Sequence, residues 1–278
     1  MKRILTVQDI SYIGKCSLTV ALPIISAMGV ECGILPTAVL STHTMFRGYT
    51  FRDLTEDLDP IINHWVKEGL DFEAVYTGYL GSREQLKVVE RLFNTYKNGY
   101  RIVDPVMADN GKLYPGFTEE FAHEMAGLCQ KADIILPNMT EACYMLDIPY
   151  PGTNYDEAFV KDILKRLAAL GPRMAVLTGV SLEEGRLGVM AYDRKADSFF
   201  YYGREHIPAS FHGTGDIFAS TFTGALVRTG SIEEGLRVAT DYTVECILLT
   251  VANPRHVNYG VEFERAIPYL CKRLEQAL

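Results

Sequence analysis

Phe211-His212-Gly213-Thr214-Gly215-Asp216-Ile217-Phe218-Ala219 is the segment of this chain whose residue types most plainly suggest chemistry. Two glycines flank a threonine directly before an apolar, small-residue run that reads as a helix. Glycine permits unusual dihedrals and close backbone approach. The first N–H groups of a helix lack internal partners and sit at its positive end. Gly213, Thr214 and Gly215 therefore read as an anion hole suited to a phosphoryl group in transfer. A carboxylate beside bound phosphate is costly unless it has a task. Asp216 has one available, accepting the proton of an attacking hydroxyl. The plain alternative is a Gly-rich turn with Asp216 as an ordinary first-turn acid.

Two further segments carry carboxylates at predicted strand ends. Asp104-Pro105-Val106-Met107-Ala108-Asp109 follows one strand and Asn138-Met139-Thr140-Glu141 the next. Asp104, Asp109 and Glu141 could hold Mg²⁺, partly through water, since that ion dehydrates reluctantly. Taken singly, Asp-Pro is a turn and Asn-x-x-Glu a helix cap. Beside an anion hole the set favours a magnesium nucleotide. Asn110-Gly111-Lys112-Leu113-Tyr114-Pro115-Gly116 reads as a polar loop that could close over phosphates as a lid. Two familiar motifs fail. The glycines at 213–218 do not spell G-x-G-x-x-G, and Gly14-Lys15-Cys16 lacks both the upstream glycine and the hydroxyl residue of a P-loop.

The elements that must position these residues alternate. Ile4–Val7, Glu31–Leu35, Ala74–Thr77, Tyr100–Val103, Asp133–Leu136 and Met174–Thr178 read as strands. Between them Ser17–Met28, Leu58–Lys67, Arg83–Tyr96, Phe117–Cys129, Glu141–Leu146 and Glu157–Leu170 read as helices, with Ser17 an N-cap. Leu187–Tyr192 and Ser198–Tyr202 read as an antiparallel pair. Three helices follow Gly213. The pattern predicts an α/β fold, a mostly parallel sheet with helices on both faces. No linker composition separates domains, so residues 1–278 are read as one. Ligands of such sheets bind beyond the strands' carboxyl ends, which singles out Gln8-Asp9, Gly78-Tyr79, Asp104, Asn138, Thr178-Gly179 and Gly213–Asp216.

Composition narrows the partners. The chain has 278 residues, 27 Lys+Arg against 35 Asp+Glu, and a net charge of −8. That argues against nucleic acid or an anionic membrane surface, but not against a small phosphate-bearing ligand. Six cysteines without C-x-x-C spacing predict reduced thiols and a cytoplasmic protein. No apolar stretch is long enough to span a bilayer.

Gly213-Thr214-Gly215-Asp216, Asp104-Pro105-Val106-Met107, Pro137-Asn138-x-x-Glu141 and Thr178-Gly179 occur in the order found in ribokinase-like kinases, which this chain resembles over its whole length. Val7-Gln8, Ser41-Thr42-His43-Thr44 and Thr77-Gly78-Tyr79-Leu80-Gly81-Ser82 resemble the pyridoxal kinase branch. The resemblance implies ATP-dependent phosphorylation of the 5′-hydroxymethyl group of a B6 vitamer, with Asp216 as general base. It implies that Asp104, Asn138, Glu141, Thr178 and Gly179 line the ATP phosphates and Mg²⁺. Asp109 and Tyr114 would belong to the lid, and His43, Thr44 and Tyr79 to the pyridine pocket. It further implies a homodimer and a response to K⁺. Asp9 departs from the branch, which carries serine there; a carboxylate could pair with a protonated ring nitrogen or a substrate amine. His212 is a second departure, similar to hydroxymethylpyrimidine kinases. A hydroxymethylpyrimidine kinase or other small-alcohol kinase of the same superfamily is the alternative, as is a non-catalytic nucleotide- or vitamer-binding protein.

Overall fold

In the computed structural model, which describes residues 1–278, the apolar run after Arg3 folds as β1 (Arg3–Ser11), with Ile4, Leu5 and Val7 fully buried. It carries Gln8 and Asp9 within its length instead of at its end. α1 (Leu18–Ala27), β2 (Glu31–Leu40), β3 (Phe51–Asp53), α2 (Thr55–Lys67) and β4 (Ala74–Thr77) follow. β1 lies between β4 and β2, parallel to both. This explains its near-continuous apolar sequence, since both faces are covered. β3, which the sequence did not signal, pairs antiparallel on the outer edge of β2 and is exposed throughout.

Residues 79–206 form a second compact unit; residues 1–78 and 207–278 form the first. Neither join has a Pro- or Gly-rich linker, so composition gave no sign of the division. The inserted unit runs α3 (Arg83–Thr95), β5 (Tyr100–Val103), β6 (Ala108–Asp109), β7 (Lys112–Leu113), α4 (Glu119–Cys129) and β8 (Ile134–Ile135). It continues through α5 (Met139–Leu146), α6 (Glu157–Leu170), β9 (Met174–Val180), β10 (Arg186–Asp193) and β11 (Ser198–Glu205). Its strands order β11-β10-β9-β8-β5. β5, β8 and β9 are parallel and β10 and β11 antiparallel, the pair the sequence predicted. Helix starts follow side-chain caps: Ser82, Thr118 and Asp156 each accept an N–H from the third residue on.

The first unit closes with α7 (Thr214–Thr229), α8 (Ile232–Val251) and α9 (Phe263–Glu275). Val20 and Ile24 of α1 and Met28 just after it share a core with Ile217 and Ala225 of α7, Tyr242 and Cys246 of α8, and Phe263 and Leu270 of α9. That packing fixes the amino ends of α1 and α7 within one unit, and the site is built on it.

Candidate active site

α7 begins with Gly213 as N-cap at φ 82. A Cβ there would lie 2.2 Å from the Lys15 carbonyl oxygen, so both backbone conformation and space demand glycine. Ile217 N–H closes the first turn on the Gly213 carbonyl at 3.0 Å. The N–H groups of Thr214, Gly215 and Asp216 precede that bond and have no helical acceptor. Gly215 is exposed and no atom lies within 4 Å of where its Cβ would be. The amino end of α7, where the sequence places an anion hole, is thus an open helix terminus. Asp216, third in the helix, receives the backbone N–H of Ser17. Burial pushes its carboxyl up to about 7, and the charge of Asp9 adds to the rise.

Asp9 was expected to face substrate. It is 5% exposed, and its carboxylate takes the Ser11 hydroxyl at 3.0 Å and the Ser17 hydroxyl. The cause is local: the β1–β2 register shifts between Gln8 and Ile10, and such irregularities re-aim a side chain. Ser17 is the N-cap of α1 by position but not by bonding. At φ 51, ψ −135 its hydroxyl makes no bond to its own helix. His43, read as pocket lining, is 2% exposed with both nitrogens engaged: Nδ1 accepts from Met45 N–H at 3.1 Å and Nε2 meets the Tyr259 carbonyl at 3.0 Å. That pattern assigns the proton to Nε2, and the ring, kept neutral by burial, packs against His212 with centres 4.4 Å apart and planes tilted by 32°. His43 thus joins three loops. Burial likewise presses His212 down to about 4. Thr44, on the turn after His43, is exposed.

In the inserted unit, Asn138 and Glu141 form a reciprocal capping box at the start of α5. Glu141 N–H donates to Asn138 Oδ1 at 3.0 Å, and Asn138 N–H to Glu141 Oε2 at 2.9 Å. The same two side chains reach the segment after β5: Glu141 Oε1 accepts from Met107 N–H at 3.2 Å and Asn138 Nδ2 donates to the Ala108 carbonyl at 2.9 Å. Burial pushes Glu141 up to about 8, against the pull of these N–H groups. The lid segment is not a loop. β6 and β7 form a hairpin whose turn, Asn110 (φ 51) and Gly111 (φ 76), has both central residues left-handed, as a tight two-residue turn requires. Gly111 N–H donates to Thr140 Oγ1 at 3.0 Å, so the hairpin is tied to α5.

Asp104 is buried at 6% exposure and Asp109 is exposed. Asp104, Asp109 and Glu141 do not come together as a three-carboxylate metal cluster. Tyr114 donates its N–H to the Met107 carbonyl at 2.8 Å, and Tyr79 packs on Phe117 with ring centres 5.5 Å apart. Thr178 N–H bonds the Pro137 carbonyl at 3.0 Å. Gly179, at φ 69, sits where the β9–β10 register slips, which re-aims the carboxyl end of β9. The sequence marked Ser17 only as a helix cap, because the φ of 51 that turns it toward Asp9 and Asp216 is not announced by residue type.

The family model described as phosphomethylpyrimidine kinase matches residues 24–261. The chain belongs to that family. As a member of these ribokinase-like kinases it is a phosphotransferase. A Bacteroides thetaiotaomicron protein assigned to the phosphomethylpyrimidine kinases and crystallised with pyridoxal is 37% identical, with a TM-score of 0.90 over 97% of this chain and 95% of that one. Pyridoxal kinase from Lactobacillus plantarum is 31% identical, with a TM-score of 0.90 over 99% of both chains. The pyridoxine/pyridoxal/pyridoxamine kinase of Bordetella avium is 27% identical over 89% of this chain and 85% of its own length. The family match leaves out the first 23 residues and the last 17, and α7 with its glycine-flanked start lies inside the matched span.

Proposed function

We propose that this kinase transfers the γ-phosphoryl group of ATP to the 5′-hydroxymethyl group of pyridoxal and related B6 vitamers. The observation that carries the reading is Asp216, a carboxyl raised to about 7 in the first turn of a helix whose N–H groups are open. A base with that proton affinity matches neutral pH, where both the deprotonated fraction and the driving force for proton transfer are useful. Asp216 takes the proton of the acceptor hydroxyl as its oxygen attacks, and the N–H groups at Gly213–Gly215 receive the charge on the phosphoryl oxygens. The pyridoxal bound to the Bacteroides relative supports the choice of acceptor.

The nucleotide side is assigned to the inserted unit, with Asp104, Asn138, Glu141, Thr178 and Gly179 around the ATP phosphates and Asp109 and Tyr114 on the hairpin. Both oxygens of Glu141 already accept backbone N–H groups. With no three-ligand cage, the donor set fits an ion that keeps most of its water and arrives on the phosphates, as Mg²⁺ does. Asp104 and Asp109 would hold it through water, and when bound it neutralises phosphate charge. Thr44 and Tyr79 are assigned to the acceptor. The family resemblance adds homodimerisation and a response to K⁺, checked by light scattering and by activity in K⁺ against Na⁺. No helix is long and apolar enough to cross a membrane.

The test is ADP release by purified protein with ATP and Mg²⁺ against pyridoxal, pyridoxine, pyridoxamine, hydroxymethylpyrimidine and sugars. Turnover of a vitamer above the other acceptors is expected. Turnover of hydroxymethylpyrimidine alone, or binding without turnover, overturns the reading.

A further inference from the structure

Asp9 and Asp216 are two acids in one buried neighbourhood, and a single residue touches both. Ser17 gives its backbone N–H to Asp216 and its hydroxyl to Asp9. Doing so holds it at φ 51, ψ −135, with Lys15 at φ 52 two residues earlier. These are sparsely populated conformations for residues with a Cβ, and they persist only where surrounding structure imposes them. An ordinary capping serine would turn its hydroxyl back to its own helix; this one directs it to Asp9.

The donors are shared unequally. Asp9 takes the Ser11 hydroxyl, the Ser17 hydroxyl and a backbone N–H. Asp216 takes the Ser17 N–H. Donors to the charged form favour ionisation, so Asp9 is the better supported of the two as a carboxylate, and its charge opposes the ionisation of Asp216. The other groups facing Asp9 do not cancel that charge: the Cys16 thiol is held protonated by burial, and His43 is neutral. The cation on the same loop, Lys15, turns its ammonium to Glu264 at 2.6 Å.

We propose that Asp9 is a positioning residue for Asp216: through Ser17 it aims the Asp216 carboxylate, and it holds a second charge beside it. The inference rests on Asp216 being the base of the proposed reaction. It replaces a substrate-contacting role for Asp9 with a role exerted through another carboxylate.

Selective ¹³C labelling of aspartate, with the Asp216 carboxyl signal assigned by Asp216→Asn, reads the coupling without turnover. In Asp9→Asn the Asp216 midpoint is expected to fall by about one pH unit, roughly a tenfold loss of proton affinity. An unmoved or higher midpoint overturns the proposal. Ser17→Ala keeps the N–H to Asp216 and removes a donor from Asp9. It is expected to raise the Asp9 midpoint, and an unmoved one counts against the linkage. In kinetics, Asp9→Asn should move the acid limb of the kcat–pH profile the same way, with KM for ATP within about twofold. A uniform loss of kcat without movement of the limb marks a merely structural role and overturns the proposal. Should the wild type phosphorylate no vitamer while the NMR shift is seen, the proposed reaction fails and the coupling stands. Vitamer turnover with no NMR shift leaves the reaction standing and overturns the coupling.

Discussion

Asp216 stood out as a candidate base from residue types alone, because a carboxylate between a glycine-flanked helix start and an expected phosphate needs a reason to be there, and what the structure adds is its raised carboxyl in the first turn of α7. The partner that orients it was not legible. Ser17 reaches Asp216 with a backbone N–H, and the φ of 51 that aims it leaves no trace in composition or spacing. Asp9 shows the same limit in reverse: an unusual acid invites a ligand-reading role, while its surroundings, two serine hydroxyls at 5% exposure, give it internal work. Asp216→Asn keeps the shape and removes the proton acceptor. Its kcat is expected to fall by at least ~10²-fold with KM for ATP little changed, since general-base catalysis contributes on that scale. As the proposed base Asp216 would work deprotonated, and its carboxyl is raised to about 7. Wild-type kcat should therefore drop about tenfold per unit below pH 7 and level off above it. Steady-state kinetics from pH 5 to 9 checks both, and an acid limb near pH 4 would mean that burial does not hold the proton on Asp216.

Among elements, the parallel strands and most helices were readable because two-sided burial leaves apolar runs and caps leave Ser, Thr, Asp or Asn. What escaped were pieces whose existence depends on contacts distant in sequence. β3 is three exposed residues paired only along the edge of β2. The β6–β7 hairpin has two residues per strand and is held by α5. The Asn138–Glu141 box was foreseen as a helix cap, yet its other half, the bonds to Met107 and Ala108, was invisible until α5 and the hairpin were brought together. Asn138→Ala tests that second half. Loss of a capping side chain costs about 0.5–2 kcal/mol, and here it also strips the Ala108 carbonyl of its donor. Thr118→Ala removes a cap of the same kind from α4, where the Thr118 hydroxyl serves Phe121 N–H. Urea unfolding should show the larger drop in midpoint for Asn138→Ala, with equal m-values. Equal drops would mean the tie to the hairpin adds no stability.

For the molecule as a whole, the acidic balance of −8 is less telling than where particular acids sit. Burial raises Asp9, Glu141 and Asp216, Glu141 to about 8 and Asp216 to about 7. Each binds its proton more tightly folded than unfolded. Each thus contributes stability that is fully present below the unfolded carboxyl value of about 4 and is lost as pH climbs through the folded value. Glu31, Asp193 and Glu262 are lowered, the first and last chiefly by hydrogen bonds from Arg3 and Arg265, and Asp193 by Arg173 and two backbone N–H groups outweighing burial. Their sign is opposite: they support the fold above about pH 4 and lose that support in acid. The buried imidazoles oppose the raised carboxyls: His212, pressed down to about 4, and His43, also lowered, add stability as pH climbs to the unfolded histidine value of about 6.5, so the net decline runs from there toward pH 8 as Asp216 and Glu141 ionise. Each full proton of difference slopes the unfolding free energy by about 1.4 kcal/mol per pH unit. Chemical denaturation at fixed ionic strength from pH 6.5 to 8.5 should therefore show a falling midpoint. Glu141→Gln and Asp216→Asn should each flatten it, since an amide has no proton to lose. A wild-type midpoint that rises toward pH 8 would show that these carboxyls ionise without penalty. The functional reading would fail with it, because the burial that costs the fold stability is what makes Asp216 basic enough to take a proton from an alcohol.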